Sequence, residues 1–280
     1  MRSPTTLFCV LLFGFVPFAG CQTARDGHRA AASPSAASTS SSPVAHAAPA
    51  PPVAAADPIP PNSVDLRPRL TALGLTPRPQ GARGTCSIFT TCESIEFALA
   101  ARDGSITRLS PEFVNWAAGQ AAGRSSDGNF FHNALAGFER YGVCRESDMP
   151  YTPGFDAGRA PSAEALAEAA RVRDGSRETV HIRWIVPWTS ARFGVNDEQF
   201  AEIKRVLATG FPVAAGSGHS RLLVGYRDDP ALAGGGAFLT EDSALNRFDE
   251  VTYEFVRKQV ADVFWVEAMA KTSASSATSH

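Results

Sequence analysis

The chain has 280 residues, with 26 basic and 28 acidic side chains and a formal charge of -2. A balance this close to neutral, with no Lys/Arg cluster that would track a phosphate backbone, argues against nucleic acid as a partner. Both ends are unlike folded protein, which leaves one domain of about 200 residues, enough for a sizeable core.

The chain begins MRSPTTLFCVLLFGFVPFAGCQTA, with one Arg, an apolar run from Leu7 to Phe18 and small residues before Cys21. The run is too short for a comfortable membrane span and reads as a secretion signal over 1–21. Its ending, FAGC, resembles the lipobox of bacterial lipoproteins, which implies lipidation at Cys21; Gln22 after it resembles an outer-membrane sorting pattern. The expected location is the bacterial cell envelope, with the N-terminal lipid anchoring the chain to the outer membrane; simple cleavage and secretion is the alternative. Residues 22–59 are Ala, Ser and Pro with almost no large apolar side chain, so they cannot offset the entropy of ordering and read as a disordered tether. The domain is expected over 60–270 and a flexible tail over 271–280.

Within the domain, apolar residues recur at Ile88, Cys92, Ile95 and Leu99, the spacing of one buried helix face, ending near Asp103 and Gly104. Cys86 therefore sits at a helix N-terminus. LSPEFVNWAAG starts a second helix with Ser110 as N-cap and Pro111 in its first turn, and FFHNALAGFERYGV a third, closed by Gly142. An Ala-rich helix capped by Ser162 follows, then a strand in TVHIRWIVPW, then NDEQFAEIKRVLATG, where Asn196 and Gln199 have capping-box spacing. Beyond it FPVAAGSGH, RLLVGYRD, GGAFLTED and DVFWVEA are short, Gly-punctuated and rich in β-branched or aromatic residues, so they read as strands. Helices first and strands afterwards predict an α+β protein of two lobes, about 60–175 helical and about 176–270 β.

Of the five cysteines, Cys86, Cys92 and Cys144 fall in the domain. An odd number in an oxidising compartment leaves at least one thiol unpaired; pairing Cys92 with Cys144 would leave Cys86 free, although the count does not set connectivity. A helix N-terminus favours the thiolate through its partial positive charge, and a nearby imidazolium favours it further. Gly81 and Gly84 let the backbone bend and let a substrate carbonyl approach the Cys86 amide, a natural oxyanion donor. Of the six histidines, His28, His46 and His280 fall in the tether or tail, and His132 and His181 read as structural. His219 follows GSG at the start of a strand, where a side chain can be displayed beside a cleft. No Cys or His pair has zinc-ligand spacing, so no metal or other cofactor is expected.

These residues resemble the papain-like cysteine peptidases. PNSVDLRPR is similar to that family's mature N-terminal segment, QGARGTC to its Gln-Gly-x-x-Gly-x-Cys block and LSPEF to its Leu-Ser helix start. ERYGVCRESDMPY is similar to the stretch leading to its Pro-Tyr turn, and GHSRLLVGY to its His-x-x-x-x-Val-Gly-Tyr strand. The motifs span nearly all of 60–267 in the family's order. The resemblance implies a two-lobed fold, a helical lobe and an antiparallel β lobe with a cleft between, and a monomer acting on peptide or protein substrates.

It further implies Cys86 as nucleophile, His219 as general base and then acid, and Gln80 as oxyanion donor. FLTEDSAL stands where the family has Asn-Ser-Trp, which puts Asp242 in the role of the residue that orients the imidazole; strand alternation sends Glu241 to the other face. Gly84, Gly128 and Asn129 are the expected substrate-binding positions, DGNFF standing where the family has a Gly-Gly pair. Ser87 and Ala244 replace two tryptophans, and Arg83 replaces a disulfide cysteine and adds a charge beside the cleft. These departures keep two alternatives open: a degenerate peptide- or protein-binding module, and a cell-wall amidase or transpeptidase of the wider superfamily.

Overall fold

A computed structural model describes residues 60–105, 107–189 and 192–269. The signal, Cys21, the tether and the tail lie outside the described residues. The helical part comprises α2 (Cys86–Asp103), α3 (Pro111–Ala122), α4 (Phe131–Tyr141) and α5 (Ala163–Ser176), preceded by the short α1 (Arg67–Ala72). Their starts follow local chemistry. Ser110 accepts from Phe113 N to open α3, and Ser162 accepts from Ala165 N to open α5. Caps of this kind are worth about 1 kcal/mol each. In α6 (Asp197–Ala208), Asn196 and Gln199 form the reciprocal capping box that their spacing predicts.

The strands are β1 (Ser63–Asp65), β2 (Val180–Val186), β3 (Val213–Gly216), β4 (Arg221–Asp228), β5 (Gly236–Asp242), β6 (Arg247–Thr252) and β7 (Asp262–Ala268), with α7 (Tyr253–Gln259) between the last two. They form one antiparallel sheet in the order β2-β7-β3-β4-β5-β6, with β1 paired to β4. The architecture is therefore α+β, helices first and antiparallel sheet after. Four elements, β1, α1, β6 and α7, have no counterpart in the sequence reading.

One helix differs from its predicted form. The periodicity of α2 predicts a single buried face, yet Thr90, Thr91, Glu93, Ser94 and Glu96 are buried along with Ile88, Cys92 and Ile95, while Leu99 is only half-buried. The reason is position: α2 packs against α3 and α4 and also against β3, β4 and β7. A helix enclosed from several directions has no solvent face to signal.

That position leaves carboxyl groups in the interior. Glu241 of β5 is 2% exposed and Glu93 of α2 is 4% exposed. Among the described residues, neither Glu241 oxygen nor Oε1 of Glu93 has a hydrogen-bond partner. Burial pushes both acids well above the usual carboxylate range, and the charge of Glu241 adds to the rise at Glu93. The folded protein therefore keeps protons that the unfolded chain releases above about pH 4.3. Stability from this source is present at acid pH and is lost as pH rises through the raised folded values. Between pH 5 and pH 8 we expect the wild-type melting temperature to fall more than that of Glu241→Gln. The difference should correspond to about 1–3 kcal/mol, the cost of an unpaired buried polar group. Equal pH slopes for the two proteins contradict this account.

The cysteines correct another expectation. Cys86, Cys92 and Cys144 are all free thiols, so the Cys92–Cys144 pairing does not form. Their surroundings differ: Arg78 Nη2 donates to Cys92 Sγ at 3.7 Å, whereas Cys144 lies beside Ser110, whose backbone N–H donates to the Cys144 carbonyl at 3.0 Å. Both are fully buried, and burial pushes the Cys144 thiol up to about 12.

Candidate active site

Cys86 is the first residue of α2, and its N-cap, Thr85, makes no side-chain capping bond. The first amides of a helix lack intrahelical acceptors, so the Cys86 N–H belongs to a set of donors free for a ligand oxygen. His219 stands in the turn between β3 and β4, and Asp242 ends β5. Because β4 and β5 pair antiparallel with Leu222 opposite Glu241, Asp242 comes level with Arg221, two residues from His219. His219 Nε2 is 2.9 Å from Asp242 Oδ1. The other ring nitrogen is left for the thiol, and each of the two groups favours the charged form of the other. The backbone N–H of Ser220 also reaches Cys86 Sγ, at 3.4 Å.

The electrostatics follow from these contacts. Burial opposes the Cys86 thiolate, but His219 and the Ser220 amide outweigh it and hold the thiol below its ordinary value. Interaction with Cys86, opposed by burial and reinforced by Asp242, raises His219. Each shift favours the thiolate-imidazolium form. Asp242 is buried, which alone would raise it, yet it lies low because His219 and the Leu245 amide bond to it and Arg221 adds positive charge. Arg221 Nε donates to Oδ2 at 3.0 Å, and the Ala244 and Leu245 amides donate to Oδ1 at 2.9 and 3.1 Å. The carboxylate is thus fixed from four donors without the aromatic cover that Ala244 replaces.

Gln80 is joined to the same strand end. Its backbone N–H donates to the Ser243 carbonyl at 3.0 Å, and Ser243 Oγ donates to Gln80 Oε1 at 2.7 Å. Gln80 Nε2 donates to the Arg83 carbonyl at 2.8 Å, which leaves its second N–H for another acceptor. Tyr151, of the predicted Pro-Tyr turn, secures the loop by donating to the Gln80 carbonyl at 2.9 Å and pairing with Thr85 Oγ1 at 2.6 Å.

The charge expected beside the cleft at Arg83 is instead buried and neutralised. Arg83 donates to Glu112 Oε2 at 2.6 Å and to Asp127 Oδ1 at 2.9 Å, with its guanidinium 4.4 Å from the Tyr151 ring centre. Gly84 and Gly128 meet: a Cβ on Gly128, which has φ +81°, would lie 2.0 Å from the Gly84 carbonyl oxygen, so only glycine fits. Asn129 lies on the same cleft wall, but its side chain is engaged: Oδ1 accepts from Phe130 N at 3.0 Å and Asn133 Nδ2 at 2.7 Å. Its carbonyl accepts from Ser87 Oγ, so Ser87 ties α2 to this wall.

A cavity of about 570 Å³ opens beside Cys86. Sequence reading gave no role to Phe130, Trp188, Phe193 or Asp262, which also line it. It also missed the Ser220 amide and Arg221. The signal for Arg221 is available, since it stands two residues from His219 at the start of a strand, a spacing that returns side chains to one face.

No protein-family model matches the chain, and no curated protein matches it. Solved structures do. The chain is similar to xylellain, a cysteine protease from Xylella fastidiosa, at TM-score 0.57 and 17% identity over 75% of this chain and 87% of that one. It is similar to digestive procathepsin L 3 of the Tenebrio molitor larval midgut at TM-score 0.55 and 17% identity, over 78% and 73% of the two chains. The Amb a 11 cysteine protease, a major ragweed pollen allergen, in its proform, matches at TM-score 0.55 and 18% identity, over 77% and 69%. The chain thus has the papain-like fold.

Proposed function

We propose that the protein is a cysteine peptidase that hydrolyses peptide bonds through an acyl-enzyme. The geometry that carries this reading is His219 held by Asp242 at 2.9 Å, with the N–H of the adjoining Ser220 3.4 Å from Cys86 Sγ. Cys86 Sγ attacks the scissile carbonyl carbon, and the carbonyl electron pair moves to oxygen, where the Cys86 amide and the second N–H of Gln80 Nε2 stabilise it. Imidazolium protonates the departing amine as the C–N bond breaks, leaving a thioester on Cys86. Neutral His219 then takes a proton from water, hydroxide adds to the thioester, and the C–S bond breaks to restore the ion pair. Asp242 holds the ring in register throughout.

In this reading Cys21 carries a lipid and 22–59 tethers the domain to the outer membrane. The test is cleavage of a peptide library by the full chain beside Cys86→Ala. Cleavage by wild type only is expected. Cleavage by both proteins, or by neither, contradicts the reading, and release of muropeptides from isolated cell wall in place of peptide cleavage would point to an amidase.

A further inference from the structure

The mechanism does not use one buried acid at the active site. Asp262, the first residue of β7, lines the cavity beside Cys86 and is 5% exposed. No other side chain of the described residues hydrogen-bonds to its carboxylate; its only bond is to its own backbone N–H. It stands across the ladder from Gly216, and a Cβ at Gly216 would fall 1.8 Å from Oδ1, so the glycine makes room for the carboxylate. Four aromatic side chains share the lining: Phe131 is buried, Phe130 and Phe193 are 48% and 65% exposed, and Trp188 is stacked 5.0 Å from Phe130. Exposed aromatic rings in a cavity that holds an unpartnered acid suit a side chain with an apolar stem and a cationic end.

We infer that this cavity selects a basic substrate side chain, Lys or Arg, near the scissile bond, its cationic end meeting the carboxylate of Asp262. The inference rests on the peptidase reading for its substrate, but recognition by the cavity does not require turnover. Burial pushes the Asp262 carboxyl up to about 6. The other charged side chains lining the cavity are Arg124 and Asp127, and Asp127 is engaged by Arg83 Nε at 2.9 Å. Neither accounts for the rise at Asp262, which comes from burial and is offset only by its own N–H. The ionised form that attracts a cation therefore dominates above pH 6 and is lost below it. The test background lacks the Cys86 thiol, and the charge of His219 is retained in Asp262→Asn, so a preference lost in that variant is assigned to Asp262.

The test uses full-length Cys86→Ala and fluorescent peptides carrying Lys, Arg or norleucine at each position in turn, with affinity read by anisotropy. At one position the basic peptides should bind about 10-fold or more tighter than norleucine at pH 7.5, the order of a hydrogen-bonded charge. That ratio should fall severalfold at pH 5, and Asp262→Asn in the same background should lose it at both pH values. Norleucine equal to Lys and Arg at every position at pH 7.5, or a preference unchanged by Asp262→Asn, overturns the inference. Wild-type hydrolysis of the same set, run in parallel, separates the two ideas. A basic preference in binding with no cleavage contradicts the peptidase reading while supporting the cavity assignment.

Discussion

Cys86→Ala is expected to lower kcat/KM for peptide hydrolysis by roughly 10⁴–10⁶, the scale seen when a nucleophile acting as one unit with its base is removed. His219→Ala should cost a similar factor, and the double variant little more, because the thiolate and the imidazolium perform one step together. Asp242→Asn should be milder. The Ala244 and Leu245 amides still fix the side chain through Oδ1, so loss of charge lowers the support for imidazolium without releasing the ring. Steady-state kinetics on one fluorogenic peptide checks all four proteins. Multiplicative losses for Cys86→Ala and His219→Ala would show that the two side chains act separately.

Arg83→Met is expected to destabilise the protein by about 3–5 kcal/mol, since removing one partner strands a buried charge. The side chains of Arg83 and Glu112 are 3% and 4% exposed. Besides its bonds to Glu112 and Asp127, Arg83 donates to the Thr152 carbonyl at 2.9 Å. In a domain of this size the melting temperature should drop by roughly 6–20 °C. Arg83→Lys should not rescue it, because an ammonium cannot reproduce the fork that meets both oxygens of Glu112. Arg83→Met combined with Glu112→Leu should recover part of the loss, as the deeply buried Glu112 carboxylate is no longer stranded and Asp127 is partly exposed. A melting temperature for Arg83→Met within a degree of wild type contradicts the account. The network stands where the family resemblance leads one to expect a disulfide, and its carbonyl contact with Gln80 links it to the proposed oxyanion donor.

What was legible in the sequence was what local chemistry decides. Ser110, Ser162 and the Asn196–Gln199 pair start their helices in the structure as their spacing predicts, and α2 begins at Cys86. The expectation that Cys86, His219 and Asp242 belong to one site came from the family resemblance of their motifs rather than from local chemistry, and in the structure His219 Nε2 lies 2.9 Å from Asp242 Oδ1. What tertiary pairing decides was not legible. β1 has three residues and is a strand only because it pairs with β4; β6, RFDEVT, is polar because it forms the sheet edge. Asp262 reads as an ordinary polar strand start until its neighbour across the ladder proves to be a glycine. The burial of Glu93 and the unpaired state of Cys92 and Cys144 likewise depend on what packs around them, which spacing along one segment does not encode.

The central claim is that Cys86 and His219 form a thiolate-imidazolium pair. The most direct measurement is the rate of iodoacetamide alkylation at Cys86 against pH in the full chain, read by peptide mass mapping so that the other cysteines do not interfere. The account predicts an inflection below the ordinary thiol value of about 8.5 in wild type, moving upward in His219→Ala. A single inflection near 8.5, identical in both proteins, would contradict it.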